Sequence, residues 1–302
     1  MSPRTSNALA RIEALVCRDV GRKTQGLIDA THGELAIAAA ALADASSVGL
    51  ITGFFVPRGD VAAPETDGPV GTALLAAALA ACGLRVRIAV DTPCVEAVRS
   101  AVAAAGEASV VVDEIADLAA IAAAIETWRK AGVDHAISIE RCGRSADGKP
   151  RNMRGVDVST WTLPLDDLFI GGRWKRLAVG DGGNEIGMGK LSRALIAETV
   201  PNGAAIASTT SCDHLIVAGV SNWGAYGLMA ALAVLKQCWR APILRFLSAE
   251  RDLAVTRAIV EQAGAVDGVT AKAEPTVDGF GADVHGELVE DLRRIAGEET
   301  TD

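Results

Sequence analysis

Two short acidic segments hold the side chains best suited to chemistry. Gly180-Asp-Gly-Gly-Asn-Glu-Ile-Gly-Met-Gly189 sets two carboxylates, Asp181 and Glu185, and an amide, Asn184, among five glycines. Glycines let the backbone approach a ligand closely, while paired acids can divide proton transfers or hold a hard cation. Glu65-Thr-Asp-Gly-Pro-Val-Gly71 places Glu65 and Asp67 just ahead of a helix that Pro69 opens. The N–H groups from Gly68 to Gly71 at such a start favour an anion, and Asp67 is equally suited to capping the helix.

Between these segments lies a basic loop, residues 141–155, with five basic side chains, three glycines and a proline. Arg144 and Arg154 are the candidates there for gripping substrate carboxylates with two-pronged hydrogen bonds; a solvated charged face is the plainer reading. Glu140 precedes this loop at a strand end and joins Asp181, Glu185 and Asn184 as a candidate catalytic residue. Ser221 and Asn222 open a later helix and are candidate pocket residues or simple caps. Cys212, Asp213 and His214 are adjacent, which does not make a triad, and His32 and His285 give no zinc spacing. The donors present suit Mg²⁺ or Mn²⁺, with Asp67, Asp181 and Glu185 as candidate ligands. No nucleotide cofactor is expected: Gly189-Lys-Leu lacks the phosphate-loop spacing, and Gly180 to Glu185 fails the dinucleotide fingerprint at its last glycine.

These residues need a scaffold, and the hydrophobic pattern supplies one. Strands are expected at 47–55, 86–90, 109–112, 135–140, 176–179, 204–207 and 214–218. Helices are expected at 6–17, 33–43, 69–82, 93–105, 114–130, 164–170, up to 199, 223–237, 255–263 and 283–296, with a loop over 56–60 and a turn at 277–280. The alternation predicts a three-layer α/β/α fold with a mainly parallel sheet. Residues 1–45 form a helical segment packed on the core, and residues 46–302 a single α/β/α catalytic domain with the basic loop on its strand-end rim. Ligands of such sheets bind beyond the C-terminal strand ends, where the acidic loops fall.

Composition sets outer bounds. The 302 residues are 50% hydrophobic, and no apolar run reaches a membrane span without interruption. A net charge of −9 offers no basic patch for nucleic acid. Six scattered cysteines without a C-x-x-C pair point to reduced thiols and a cytoplasmic location. A homo-oligomer is compatible with this composition.

The chain resembles the D-glutamate cyclase family in Glu65–Gly71, Ile139–Gly143, Gly180–Gly189 and Val217–Leu228, which occur in fixed order along nearly its whole length. The resemblance implies a small amino acid substrate, D-glutamate, converted to 5-oxo-D-proline with loss of water. Mammalian members are mitochondrial and carry such a domain behind another enzyme-like one. Lactam closure within one molecule needs a neutral amine, a polarised carboxylate and a proton donor for the departing oxygen, and no ATP. A metal-assisted hydrolase of a small lactam or amide, and a carboxylate sensor without turnover, are the competing classes.

Overall fold

The computed structural model describes residues 1–58 and 61–298. Its strands are β1 Ser47–Ile51, β2 Phe55–Arg58, β3 Val61–Pro64, β4 Arg85–Asp91, β5 Val111–Ile115, β6 His135–Ile139, β7 Lys175–Gly180 and β8 His214–Val217. Six of them form one sheet in the order β5-β4-β1-β6-β7-β8, with every neighbouring pair parallel. β2 and β3 pair separately as an antiparallel hairpin. The main-sheet order reverses at β1, which has β4 on one side and β6 on the other. That reversal opens a crevice at the C-terminal edge.

Successive residues of β1 feed different cores, as strand geometry requires: Leu50 packs with one hydrophobic cluster and Ile51 with the other. The first cluster takes the helices Pro69–Ala81, Thr92–Ala105 and Ser221–Leu235; the second takes Leu118–Lys130 and Arg193–Thr199. Helices therefore cover both faces, which gives the three layers. Ser221–Leu235 is buried from Ser221 to Val234, with apolar side chains on all sides. Each fully buried leucine there contributes about 1.5–3 kcal/mol. The N-terminal helices Pro3–Val16 and Glu34–Leu42 share this same cluster, and Gly219 N donates to Val16 O at 2.9 Å.

Several local expectations are corrected. The apolar run 47–55 is two elements, because Gly53 turns the chain at φ 104 and β2 begins at Phe55. A Cβ at Gly53 would stand 2.8 Å from Cys94 Cβ, so the turn needs glycine. Residues 56–58, expected in a loop, belong to β2; Gly59 and Asp60 lie outside the described residues. Residues 204–207, expected as a strand, are instead the short helix Gly203–Ile206; β8 next in the chain takes the sheet position beside β7. The expected helix 223–237 begins two residues earlier, ends at Leu235, and is followed by another, Gln237–Phe246.

Candidate active site

A cavity of about 400 Å³ opens where β6 and β7 end. Glu65, Glu140, Asp181, Glu185 and Asp278 line it, together with Arg22, Arg154, Asn152 and Asn184. Phe54, Val56, Pro57, Met153, Pro201 and Val269 supply an apolar wall.

Each acid is fixed by its backbone. Glu140 directly follows β6, and its φ of 44 is a left-handed conformation rare outside glycine, the kind of strain that concentrates at functional sites. Its Oε2 accepts the Ser221 hydroxyl at 2.6 Å. Asp181 directly follows β7, and its Oδ2 accepts from Arg22 Nη1 at 2.7 Å. Glu185 folds back on its own loop, accepting N–H from Asp181 at 3.1 Å, Gly182 at 2.7 Å and Gly183 at 2.8 Å. Asn184 Nδ2 donates to Arg151 O at 2.9 Å, tying this loop to the basic one. Asp278, at φ 56 in the tight turn closed by Val277 and Phe280, pairs with Arg22 Nη2 at 2.5 Å.

Asp67, Gly68, Gly71, Ser221 and Asn222 stand behind this wall rather than in the lining. Asp67 accepts N–H from Ser221 at 3.0 Å and Asn222 at 2.8 Å, so it caps the Ser221–Leu235 helix and not the one that follows it in sequence. Asn222 Oδ1 in turn accepts N–H from Gly68 at 2.9 Å and Gly71 at 2.8 Å. The donors expected to bind a substrate anion are thus taken by Asn222. Arg144 is also elsewhere: its guanidinium pairs with Asp167, away from the cavity. Arg154 lines the cavity, and its guanidinium has no hydrogen-bond or ion-pair partner among the described residues.

Sequence reasoning missed Arg22 and Asp278 and placed Glu65 only ahead of a helix start. Arg22 lies in what reads as a polar connection, and Asp278 in what reads as a plain turn. A signal for Asp278 exists in Val277-Asp-Gly-Phe-Gly281, an acid flanked by turn residues like the other acidic loops.

The electrostatics are unbalanced. Burial, reinforced by the neighbouring acids, pushes Glu65 and Glu140 well above the usual carboxylate range. Burial also raises Asp181, against the opposing pull of Arg22. For Asp67, burial and then Asp278 and Asp181 outweigh the backbone hydrogen bond from Asn222. Burial alone would lower the Arg22 guanidinium, but Asp181, Asp278 and Asp67 hold it up. These carboxyls titrate as a group, so the cluster retains protons or takes up a cation.

Two sets of acids could hold a metal ion, Asp67 with Asp181 and Asp278, and Glu140 with Asp181 and Glu185; within each set the oxygens lie within 4.8 Å of one another. The expected trio of Asp67, Asp181 and Glu185 is divided between them, with Asp181 common to both. Oxygen donors alone suit Mg²⁺ or Mn²⁺. Arg22 already bridges Asp181 and Asp278, so the Glu140 set is the better fit for an added ion.

The fold and site define an α/β/α protein with an acid-rich pocket at the switch point of its parallel sheet. Residues 12–293 match the family model described as D-glutamate cyclase-like, C-terminal. The human protein named D-glutamate cyclase, mitochondrial, is 34% identical over 247 residues, covering 77% of this chain and 40% of the human protein. The chain belongs to the D-glutamate cyclase family, and it matches about two fifths of that human relative's length. No helix among the described residues is long and apolar enough to cross a membrane.

Proposed function

We propose that this chain is a lyase that cyclises D-glutamate to 5-oxo-D-proline and water. The observation that carries the reading is one cavity in which the buried acids Glu65, Glu140, Asp181 and Glu185 lie beside Arg22 and Arg154. D-glutamate brings one ammonium and two carboxylates, and the cavity offers partners for all three.

In this mechanism Asp181 takes one proton from the ammonium, and the neutral amine attacks the side-chain carboxyl carbon. Glu140, protonated by virtue of its burial, donates to the oxygen that leaves. The nitrogen gives up its second proton as the lactam forms. That second proton passes to the Glu140 carboxylate, and Asp181 returns its own proton to the departing oxygen, which leaves as water, so both residues end as they began. Asn184 and Glu185 hold the Asp181 loop in place. A divalent ion on Glu140, Asp181 and Glu185 would supply polarisation of the reacting carboxylate. Holding the chain folded for a five-membered closure supplies much of the rate.

Incubation with D-glutamate, followed by mass spectrometry for loss of one water, tests the reading. L-glutamate and 5-oxo-D-proline serve as separate substrates. Opening of the ring in preference to closure would favour the lactam hydrolase, which the two carboxylate sets also fit. Ligand stabilisation with no product from either substrate would favour a sensor. A cytoplasmic location is part of the proposal and rests on six free cysteines; imaging of the tagged chain decides it against the compartment in the human relative's name.

A further inference from the structure

Five of the six site carboxylates already have donors. Asp67 and Glu185 accept backbone N–H groups, Glu140 accepts Ser221, and Asp181 and Asp278 share Arg22. Glu65 differs. It is 9% exposed and lines the cavity, yet no described residue donates a hydrogen bond to its carboxylate or pairs with it.

Its position is nonetheless built. Glu65 N donates to Phe54 O at 2.9 Å, and Thr66 N donates to Val266 O at 3.0 Å, fixing the backbone on both sides. The side chain then lies against Gly268, where a Cβ would stand 1.8 Å from Glu65 Oε1. Gly268 is therefore the residue that makes room for this carboxylate. Glu65 also falls outside both acid sets whose oxygens converge closely enough for one metal ion. A buried carboxyl with no donor among the described residues either holds a proton or is stabilised by a cationic donor that a ligand brings.

We propose that Glu65 anchors the ammonium group of the substrate and so selects amino dicarboxylates over dicarboxylates that lack the amine. The inference rests on the amino acid substrate proposed above. The ammonium brings the charge and the N–H donors that Glu65 lacks, and the substrate carboxylates remain for Arg22 and Arg154. An amine-free dicarboxylate would leave Glu65 unpaired and add negative charge beside it.

The test compares D-glutamate with glutarate, which has the same carbon chain and no amine. KM for D-glutamate and Ki for glutarate are measured in one assay, with calorimetric Kd values wherever turnover is too slow. Wild type should prefer D-glutamate, and Glu65→Gln, which keeps the shape, should lose about 10-fold to 100-fold of that preference, the worth of a charge-assisted hydrogen bond. Glutarate should bind Glu65→Gln at least as tightly as wild type. Gly268→Ala should lose the same preference by displacing the carboxylate without removing it. Unchanged preference in Glu65→Gln overturns the anchor while leaving the cyclase reading intact. Binding with the expected preference but no cyclised product overturns the reaction and supports the anchor. Wild type that does not prefer D-glutamate overturns both.

Discussion

Asp67 and Asn222 cap each other's helices. Asp67 satisfies the first N–H groups of Ser221–Leu235, and Asn222 satisfies those that open Pro69–Ala81. Two buried helix starts are thereby joined behind the acidic wall, and the Ser221 hydroxyl that holds Glu140 sits at the junction. Asn222→Ala should cost about 1–3 kcal/mol, since it strands the buried Gly71 N–H and leaves Gly68 N–H with Asp67 Oδ1 alone, at 3.0 Å. Urea denaturation measures this. A double-mutant cycle with Asp67→Asn should give clear coupling, and additive effects would mean that the caps act separately.

Arg22 carries a different expectation. Its removal leaves Asp181 and Asp278 buried without their cation, so Arg22→Ala should destabilise by about 3–5 kcal/mol. Arg22→Lys should fold better and isolate the electrostatic effect. Because Arg22 holds Asp181 down, a weaker cation should let Asp181 rise further. If Asp181 must be ionised to act as base, the acidic limb of the kcat/KM profile should move to higher pH in Arg22→Lys. An unmoved limb would take Asp181 out of that role.

The two candidate arginines of the basic loop should now separate. Arg154→Ala should raise KM for D-glutamate about 10-fold to 100-fold, with Lys recovering little because a point charge replaces a fork. Arg144→Ala should leave KM and kcat near wild type, since its guanidinium is committed to Asp167. A large KM effect at Arg144 and none at Arg154 would reverse the assignment.

Stability should depend on pH through the same acids. Glu65, Glu140 and Asp181 are raised in the folded state, so the fold binds their protons more tightly than the unfolded chain does. Their contribution is then fully present below the ordinary carboxylate value of about 4 and is lost as pH rises through the folded-state values. Glu140→Gln removes part of that loss. Its melting temperature relative to wild type should be higher at about pH 8 than at about pH 4.5. A difference that is flat with pH would mean that Glu140 titrates normally.

A divalent cation should relieve the same repulsion. Mn²⁺ or Mg²⁺ at about 100 times its Kd should stabilise the protein by about 2.7 kcal/mol, seen as a rise in melting temperature. Glu140→Gln and Asp181→Asn should each reduce that rise. Activity and melting temperature that both withstand exhaustive chelation would leave the protonated acids to act alone.

The sheet was largely legible because its strands are short β-branched runs separated by alanine-rich helices. Strand-end placement then located Glu140 and Asp181 without any knowledge of contacts. Residues 204–207 misled because a short apolar stretch has no period long enough to separate strand from helix. Arg22 left no signal, and Asp278 only that of an acid among turn residues, for another reason. Each lies in a polar turn, and only the tertiary fold brings both to the β7 end. The capping of one helix by the other's neighbour likewise leaves no local trace, which is why Asp67 and Gly68 to Gly71 looked like a free anion site.

Arg22 and Asp278 are contributed by opposite ends of the sequence, yet one guanidinium balances Asp278 and Asp181 together. On a ribosome the first partner emerges long before the last, so the N-terminal segment must wait for most of the chain before its charge has a destination. The ion pair thus makes the charge balance of the pocket depend on three segments far apart in the sequence, so a change in any one of them is felt by the other two.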